Sequence, residues 1–283
     1  MNTETFSPVI QLLLKLNTIR NKEGVNPKIG SPAFIEMQSY QRPESVKTAF
    51  SMGLIALESS SDHLEALDNL VAKEEYAVSP WTCARGLLEA ASIATWLLDP
   101  DINNSERVSR SFALRFYSLK EQLKMANKFD PIKKDDIEKR IDDIEALALN
   151  LGFSKVLDRN GKRIGIGQQK PKITELVGNQ FDFGKLYPVF SSIAHCDSII
   201  VSQIATSTIG NYGSEGIIKQ RAVPRKIQQD LLANAVAIYT RGVWMHVVQF
   251  GYDVAQTTVI LEKYFDEIML ADNNEIRFWR TVI

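Results

Sequence analysis

Two stretches of this chain place polar residues where they could do chemistry. In Ser79–Leu98, SPWTCARGLLEAASIATWLL, the residues Thr82, Arg85, Glu89 and Ser92 fall on one helical face, and nearly everything else is apolar or small. Residues 187–206, YPVFSSIAHCDSIIVSQIAT, repeat the pattern with Ser191, His195, Ser198 and Ser202. A helix that is apolar nearly all round is a buried helix, so its few polar groups must find partners inside the protein. Arg85 and Glu89 are spaced to meet along one helix. There Arg85 can clamp a phosphate or carboxylate while Glu89 orients a neighbouring base or cation. The plainer reading is a satisfied polar network that fixes helix register. Ser191 and His195 also lie one turn apart, but no Gly-x-Ser-x-Gly elbow accompanies them, which argues against a serine hydrolase.

The three histidines, His63, His195 and His246, fall in three different predicted helices. Three imidazoles can ligate one transition metal. No Glu-x-x-His, His-Glu-x-x-His or Cys-x-x-Cys spacing supports such a site here, so neither a metal nor another cofactor is expected. Gly210, Gly213 and Gly216 lack the Gly-Lys-Ser/Thr ending of a phosphate loop and read as loop glycines.

Periodicity supplies the elements that must position these groups. Helices are expected at 8–19, from Pro43 to about Ala72, over Ser79–Leu98, at 105–128, 131–151 and 187–206, from Pro224 to Phe250, and at 257–271 and 274–281. Ser79-Pro80 reads as an N-cap and first helical residue, and Asp99-Pro100 as a stop. Asn160-Gly161 between two short β-compatible runs predicts a hairpin over about 155–167. The expected fold is all-α: a single multi-helix domain over residues 1–283, with about eight helices and a small β-hairpin insertion.

Further basic residues have two readings each. Arg107, Arg110 and Arg115 open the third of the long helices, either as solvated charge or as additions to an anion site. On the hairpin and its exit, Lys155, Arg159, Lys162, Arg163, Lys170 and Lys172 face only Asp158. Arg159, Lys162 and Arg163 are therefore candidate contacts to a nucleic-acid backbone, or else simply keep an exposed hairpin soluble.

The segment Arg241-Gly-Val-Trp-Met-His246 is an arginine followed after four residues by a histidine, late in an all-α chain. It resembles the active-site motif of the HEPN ribonucleases. That resemblance implies an arginine that stabilises the scissile phosphate, a histidine in acid–base chemistry, no metal, and two protomers whose motifs meet. Gly242 departs from the polar residue the family tends to place there. The expectation is that Arg241 and His246 share one face of their helix. A broader set, Asp62-His63-Leu64, Arg85-Gly-Leu-Leu-Glu89, Trp96-Leu-Leu-Asp-Pro100, Arg107, Arg110, Tyr187, Ser191 and His195, resembles an uncharacterised family of bacterial all-helical proteins. It implies that His63, Arg85, Glu89, Arg107, Arg110, Tyr187, Ser191 and His195 gather at one polar centre.

Composition bounds the rest. A formal net charge of −1 provides no global field toward nucleic acid or an anionic membrane. Two cysteines inside apolar patterns, Cys83 and Cys196, fit buried thiols in a reduced, cytoplasmic setting. The N-terminal apolar run is broken by Gln11 and Lys15 and does not read as a signal peptide. No stretch approaches the roughly 20 apolar residues of a membrane span, and no membrane association is expected.

Two functions follow. One is a helical module that binds a small anionic ligand or a protein partner through Arg85, Glu89 and His195. The other is a metal-independent ribonuclease, a toxin or phage-defence effector, acting on RNA as a homodimer through Arg241 and His246. They part on one assay. Cleavage of structured RNA in excess EDTA by the wild type but not by His246→Ala follows from the ribonuclease reading, and no cleavage by either from the other.

Overall fold

The computed structural model describes residues 26–181, 187–212, 216–221 and 225–253, with single positions at 14, 255, 258 and 259. The fold is all-α with a β-hairpin at the expected place. In chain order the elements are α1 (Pro32–Ser39), α2 (Pro43–Ala72), α3 (Ser79–Leu98), α4 (Asn104–Phe129), a 3-10 turn (Pro131–Lys133) and α5 (Lys134–Asn150). There follow β1 (Lys155–Leu157), β2 (Arg163–Ile166), α6 (Ile173–Phe181), α7 (Tyr187–Ala194), α8 (Ser198–Ala205), β3 (Thr206–Tyr212), β4 (Gly216–Arg221) and α9 (Arg225–Phe250). The helices expected at 8–19, 257–271 and 274–281 lie outside the described residues, apart from isolated positions.

The chain divides into two compact units. One comprises Met1–Phe34, Gly53–Leu98 and Ile173–Ile283, the other Ile35–Met52 and Asp99–Lys172. In the second unit Asn103 caps α4 by accepting from the backbone N–H of Glu106 at 2.8 Å. The inner face of α4 (Val108, Phe112, Phe116, Leu119) is buried, with α5 and β2 packed on this helix through Ile137, Ile141, Ile144 and Ile166. β1 and β2 pair antiparallel, and Asp158 closes their turn by accepting from the backbone N–H groups of Asn160 and Lys162, both at 2.9 Å. Gly161 sits in that turn at φ +74°, where a side chain would be strained.

The basic hairpin is partly neutralised from within. Glu145 of α5, buried at the hairpin, takes ion pairs from both Lys155 and Arg163, and Arg163 lies 5.2 Å from the centroid of the Phe116 ring. Only Arg159 and Lys162 of the three candidate backbone contacts remain exposed.

Arg107 is fully buried, and its charge is answered on every side. Its Nε and one Nη bond the two carboxylate oxygens of Glu36 at 2.9 Å each, and the same Nη donates to the Asp99 carbonyl at 3.0 Å. The guanidinium stacks 4.5 Å from the Phe50 ring centroid.

In the first unit α3 lies against α6, α7 and α9. Leu87, Leu88, Ala91, Ala94, Leu97 and Leu98 along it are wholly inaccessible. Its buried hydroxyls are satisfied by the helix itself: Ser92 donates to the Leu88 carbonyl at 2.7 Å and Thr95 to the Ala91 carbonyl at 2.9 Å. Gly242 lets α9 approach α2, since a Cβ there would stand 2.9 Å from Leu57 Cδ1. The stretch Asp230–Phe250 of α9 is, contrary to the sequence expectation, long and apolar enough to cross a membrane by length and composition alone. Most of it is buried within the protein, as a core helix must be, and its composition follows from that.

Two further expectations are corrected. Residues 187–206 are not one helix but α7 and α8, broken at Cys196, whose φ of +59° is left-handed. Asp197 then caps α8 by accepting from the backbone N–H of Ile199 at 3.0 Å. Gly210 and Gly216 do not lie in a loop: they belong to β3 and β4, a second antiparallel pair running from Thr206↔Arg221 to Tyr212↔Gly216 with a bulge near Gly210, while Gly213 lies outside the described residues. Glycine serves both bulges and tight strand connections, which composition does not distinguish from loop.

Arg107→Ala strands Glu36 and empties the space over Phe50, so it is expected to destabilise the protein by about 3–5 kcal/mol. Chemical denaturation of the variant, read by circular dichroism, measures this.

Candidate functional site

Helix α3 carries Arg85 and Glu89 one turn apart, on the side where α7 and the residues after it arrive. Arg85 Nε donates to Glu89 Oε1 at 2.7 Å, and the Tyr187 hydroxyl donates to the same oxygen at 2.5 Å. The guanidinium carbon stands 5.7 Å from the Tyr187 ring centroid. Arg85 is thus held by a carboxylate that is itself held by a phenol. Its Nη1 points to His195 Nε2, 3.3 Å away.

An arginine N–H can only donate. The contact to His195 is therefore a hydrogen bond when the imidazole is neutral with its proton on Nδ1. A protonated imidazole in the same place would repel the guanidinium unless an anion lay against both. Burial by itself lowers the pKa of Arg85, but the hydrogen bond and charge of Glu89, with Tyr187, outweigh it and hold the group above its ordinary value. Burial raises the Tyr187 phenol, and the hydrogen bond to Glu89 and that carboxylate's charge take it to about 12.

The break after α7 brings His195 to the surface. The Asp197 N–H bonds back to the Ser192 carbonyl at 2.9 Å and the Cys196 N–H to the Ile193 carbonyl at 3.0 Å, so the chain turns off the helix directly after His195. His195 then edges an open cavity of about 540 Å³ lined by Thr174 of α6 and by Tyr187, Ser191, Ser192 and Asp197. Hydroxyls, an imidazole and the Asp197 carboxylate thus line the opening, with the Arg85 guanidinium next to the imidazole.

Of the residues named from sequence, Arg85, Glu89, Tyr187, Ser191 and His195 come together. Arg107 and Arg110 belong to the other unit and are engaged there: Arg107 as described, and Arg110 with Glu106 at 2.8 Å and Asp99 at 3.6 Å. Arg241 and His246 do not share a face. Five residues of α-helix turn through about 140° beyond a full turn, because each residue adds about 100°. Arg241 Nη1 donates to the Gln180 carbonyl at 2.5 Å, with the guanidinium 5.7 Å from the Phe181 ring centroid. His246 is only 2% exposed and stands edge-on to Phe250 and Tyr252, at 4.5 and 5.6 Å between centroids.

His63 lies against α3, where a Cβ on Gly86 would stand 2.5 Å from its Nε2. Among the described residues no three His, Cys, Asp or Glu side chains come together to hold a metal. The two thiols form no disulfide and are not both buried: Cys196 is exposed in the turn, and Cys83 is half-buried. Burial, with the charge of Asp62, pushes the Cys83 thiol up.

Sequence reasoning missed Ser192, Thr174 and Asp197 as lining residues. The Asp-Ser pair at 197–198, a helix N-cap signal inside an apolar run, was the mark of the break that exposes them. No protein-family model, curated protein or solved structure matches this chain.

The raised pKa of Tyr187 has a signed consequence. The folded state keeps this phenol protonated above the ordinary value of 10, so its contribution to stability is complete below pH 10 and is lost as pH climbs toward about 12. Difference ultraviolet titration against Tyr187→Phe should find one phenol ionising near pH 12, and Glu89→Gln should bring that transition back toward 10.

Proposed function

We propose that this protein binds a small anionic ligand, a phosphate or carboxylate, between Arg85 and His195, with Glu89 and Tyr187 as positioning residues. The observation that carries the reading is the 3.3 Å approach of Arg85 Nη1 to His195 Nε2 at the edge of an open cavity. One group that is permanently cationic meets another that can become so. An anion seated against both would accept from Arg85 and from His195 and remove their mutual repulsion. The hydroxyls of Ser191, Ser192 and Thr174 line the same opening and supply further donors.

Glu89 lies behind the arginine. Its Oε1 is occupied by Arg85 Nε and the Tyr187 hydroxyl, which leaves the Nη edge of the guanidinium turned toward His195. This preorganisation lowers the entropy lost when a ligand binds. The burial of His246 and the Gln180 carbonyl on Arg241 favour this reading over ribonuclease chemistry at that pair.

Titration with inorganic phosphate, followed through the three imidazole side chains by nitrogen-detected NMR, tests the proposal. The His195 signal should move with a saturable dependence while His63 and His246 stay in place. Arg85→Gln should weaken the response by about tenfold or more, as loss of a charge-assisted bond does. A His195 signal that does not move, or moves equally in Arg85→Gln, overturns the reading.

A further inference from the structure

A second site lies wholly within the other unit, independent of Arg85. The first half of α2, the middle of α4 and α5 enclose an open cavity of about 460 Å³. Its floor is apolar, built from Met52, Leu119 and Ile144, and Arg115 of α4 and Arg140 of α5 both line it. Neither arginine forms an ion pair or a hydrogen bond among the described residues. What stands over Arg115 is the Phe112 ring, whose centroid is 5.8 Å from the guanidinium carbon.

This contrasts with three other arginines of the same unit, whereas Arg42 and Arg159 are exposed to solvent. Arg107, Arg110 and Arg163 each have a carboxylate. Arg115 is half-buried, and burial together with the charge of Arg140 pushes its pKa down. Two cations that face one opening and repel each other leave a local excess of positive charge. A partly buried cation such as Arg115, with no carboxylate of its own and a second cation beside it at an open cavity, is a place where an anionic partner can come from outside.

We propose that this cavity binds a phosphate monoester with a compact apolar body, its phosphate clamped between Arg115 and Arg140 and its body on Met52, Leu119 and Ile144. Two guanidiniums match a dianion better than a single carboxylate. The concave, largely apolar lining fits a small molecule, since such sites enclose the ligand body and fix it with a few polar groups. Asp143 is the one carboxylate on the lining. It can accept from a hydroxyl or amino group on the ligand body, and its charge disfavours a second phosphate.

Isothermal calorimetry with phenyl phosphate, inorganic phosphate and phenol as probes tests the assignment. In an Arg85→Gln background, which removes the anion site proposed for the other unit, phenyl phosphate should still bind, and more tightly than inorganic phosphate, while phenol should not bind measurably. Arg115→Gln and Arg140→Gln should each weaken phenyl phosphate by about tenfold or more. Arg140 is exposed, so Arg140→Gln should fold, and with the repulsion relieved its ligand-free unfolding midpoint should not fall below wild type. Unchanged affinity in Arg140→Gln overturns the site. Binding lost in Arg85→Gln assigns the signal to the other unit and overturns it as well. A short single-stranded RNA that binds through Arg115 and Arg140 more tightly than phenyl phosphate overturns the small-ligand assignment in favour of a nucleic-acid surface.

Discussion

One carboxylate oxygen, Glu89 Oε1, accepts from both Arg85 and Tyr187, and the order of the first unit around α3 turns on it. α3 is apolar on almost every side because α6, α7 and α9 surround it. A charged pair on such a helix needs a polar partner from a neighbour, or its desolvation is uncompensated. Tyr187, the first residue of α7, is that partner, and satisfying Glu89 sets where α7 begins against α3. The position of His195 at the other end of α7 follows from that start and from the turn at Cys196.

The second unit shows the same physics with a different outcome. Arg107 is enclosed completely, with two bonds to Glu36, a carbonyl and a ring, so its charge is spent inside the fold. Arg85 keeps one edge of its guanidinium toward His195, which lines an opening. A helical chain thus uses arginine in two ways, and the difference lies in how many acceptors the surrounding elements supply. Arg115 and Arg140 stand at the far end of that range, with a ring for one and, among the described residues, no carboxylate for either.

Much of the fold could be read from residue order. The bounds of α2 and α3, the helix expected at 105–128 and found at Asn104–Phe129, and the Asn160-Gly161 hairpin all rest on local signals: apolar spacing at 3.6 residues and turn residues. The failures are also local in origin. The apolar run at 187–206 has helical periodicity throughout, and only the Asp197 cap marks that it is two helices. The second hairpin at 206–221 is rich in glycine and polar residues, which strands and loops share. The Arg241–His246 spacing resembles a motif in one dimension, yet the helical pitch sends the two side chains in different directions.

The sequence by itself determined the all-α class and the proximity of Arg85 to Glu89, because helical periodicity and an i,i+4 spacing act within one element. It also determined that α3 would be buried, since an apolar helix has nowhere else to go. Tertiary structure alone decided that the histidine offered by the polar stripe on 187–206 meets that arginine while His246 does not. His195 stands 110 positions from Arg85, a separation that no local signal spans. That choice depends on how α7 and α9 pack on α3, and on a left-handed turn that frees His195 while aromatic neighbours enclose His246. Burial and charge pairing are properties of several elements at once, and so they appear only when the chain is folded.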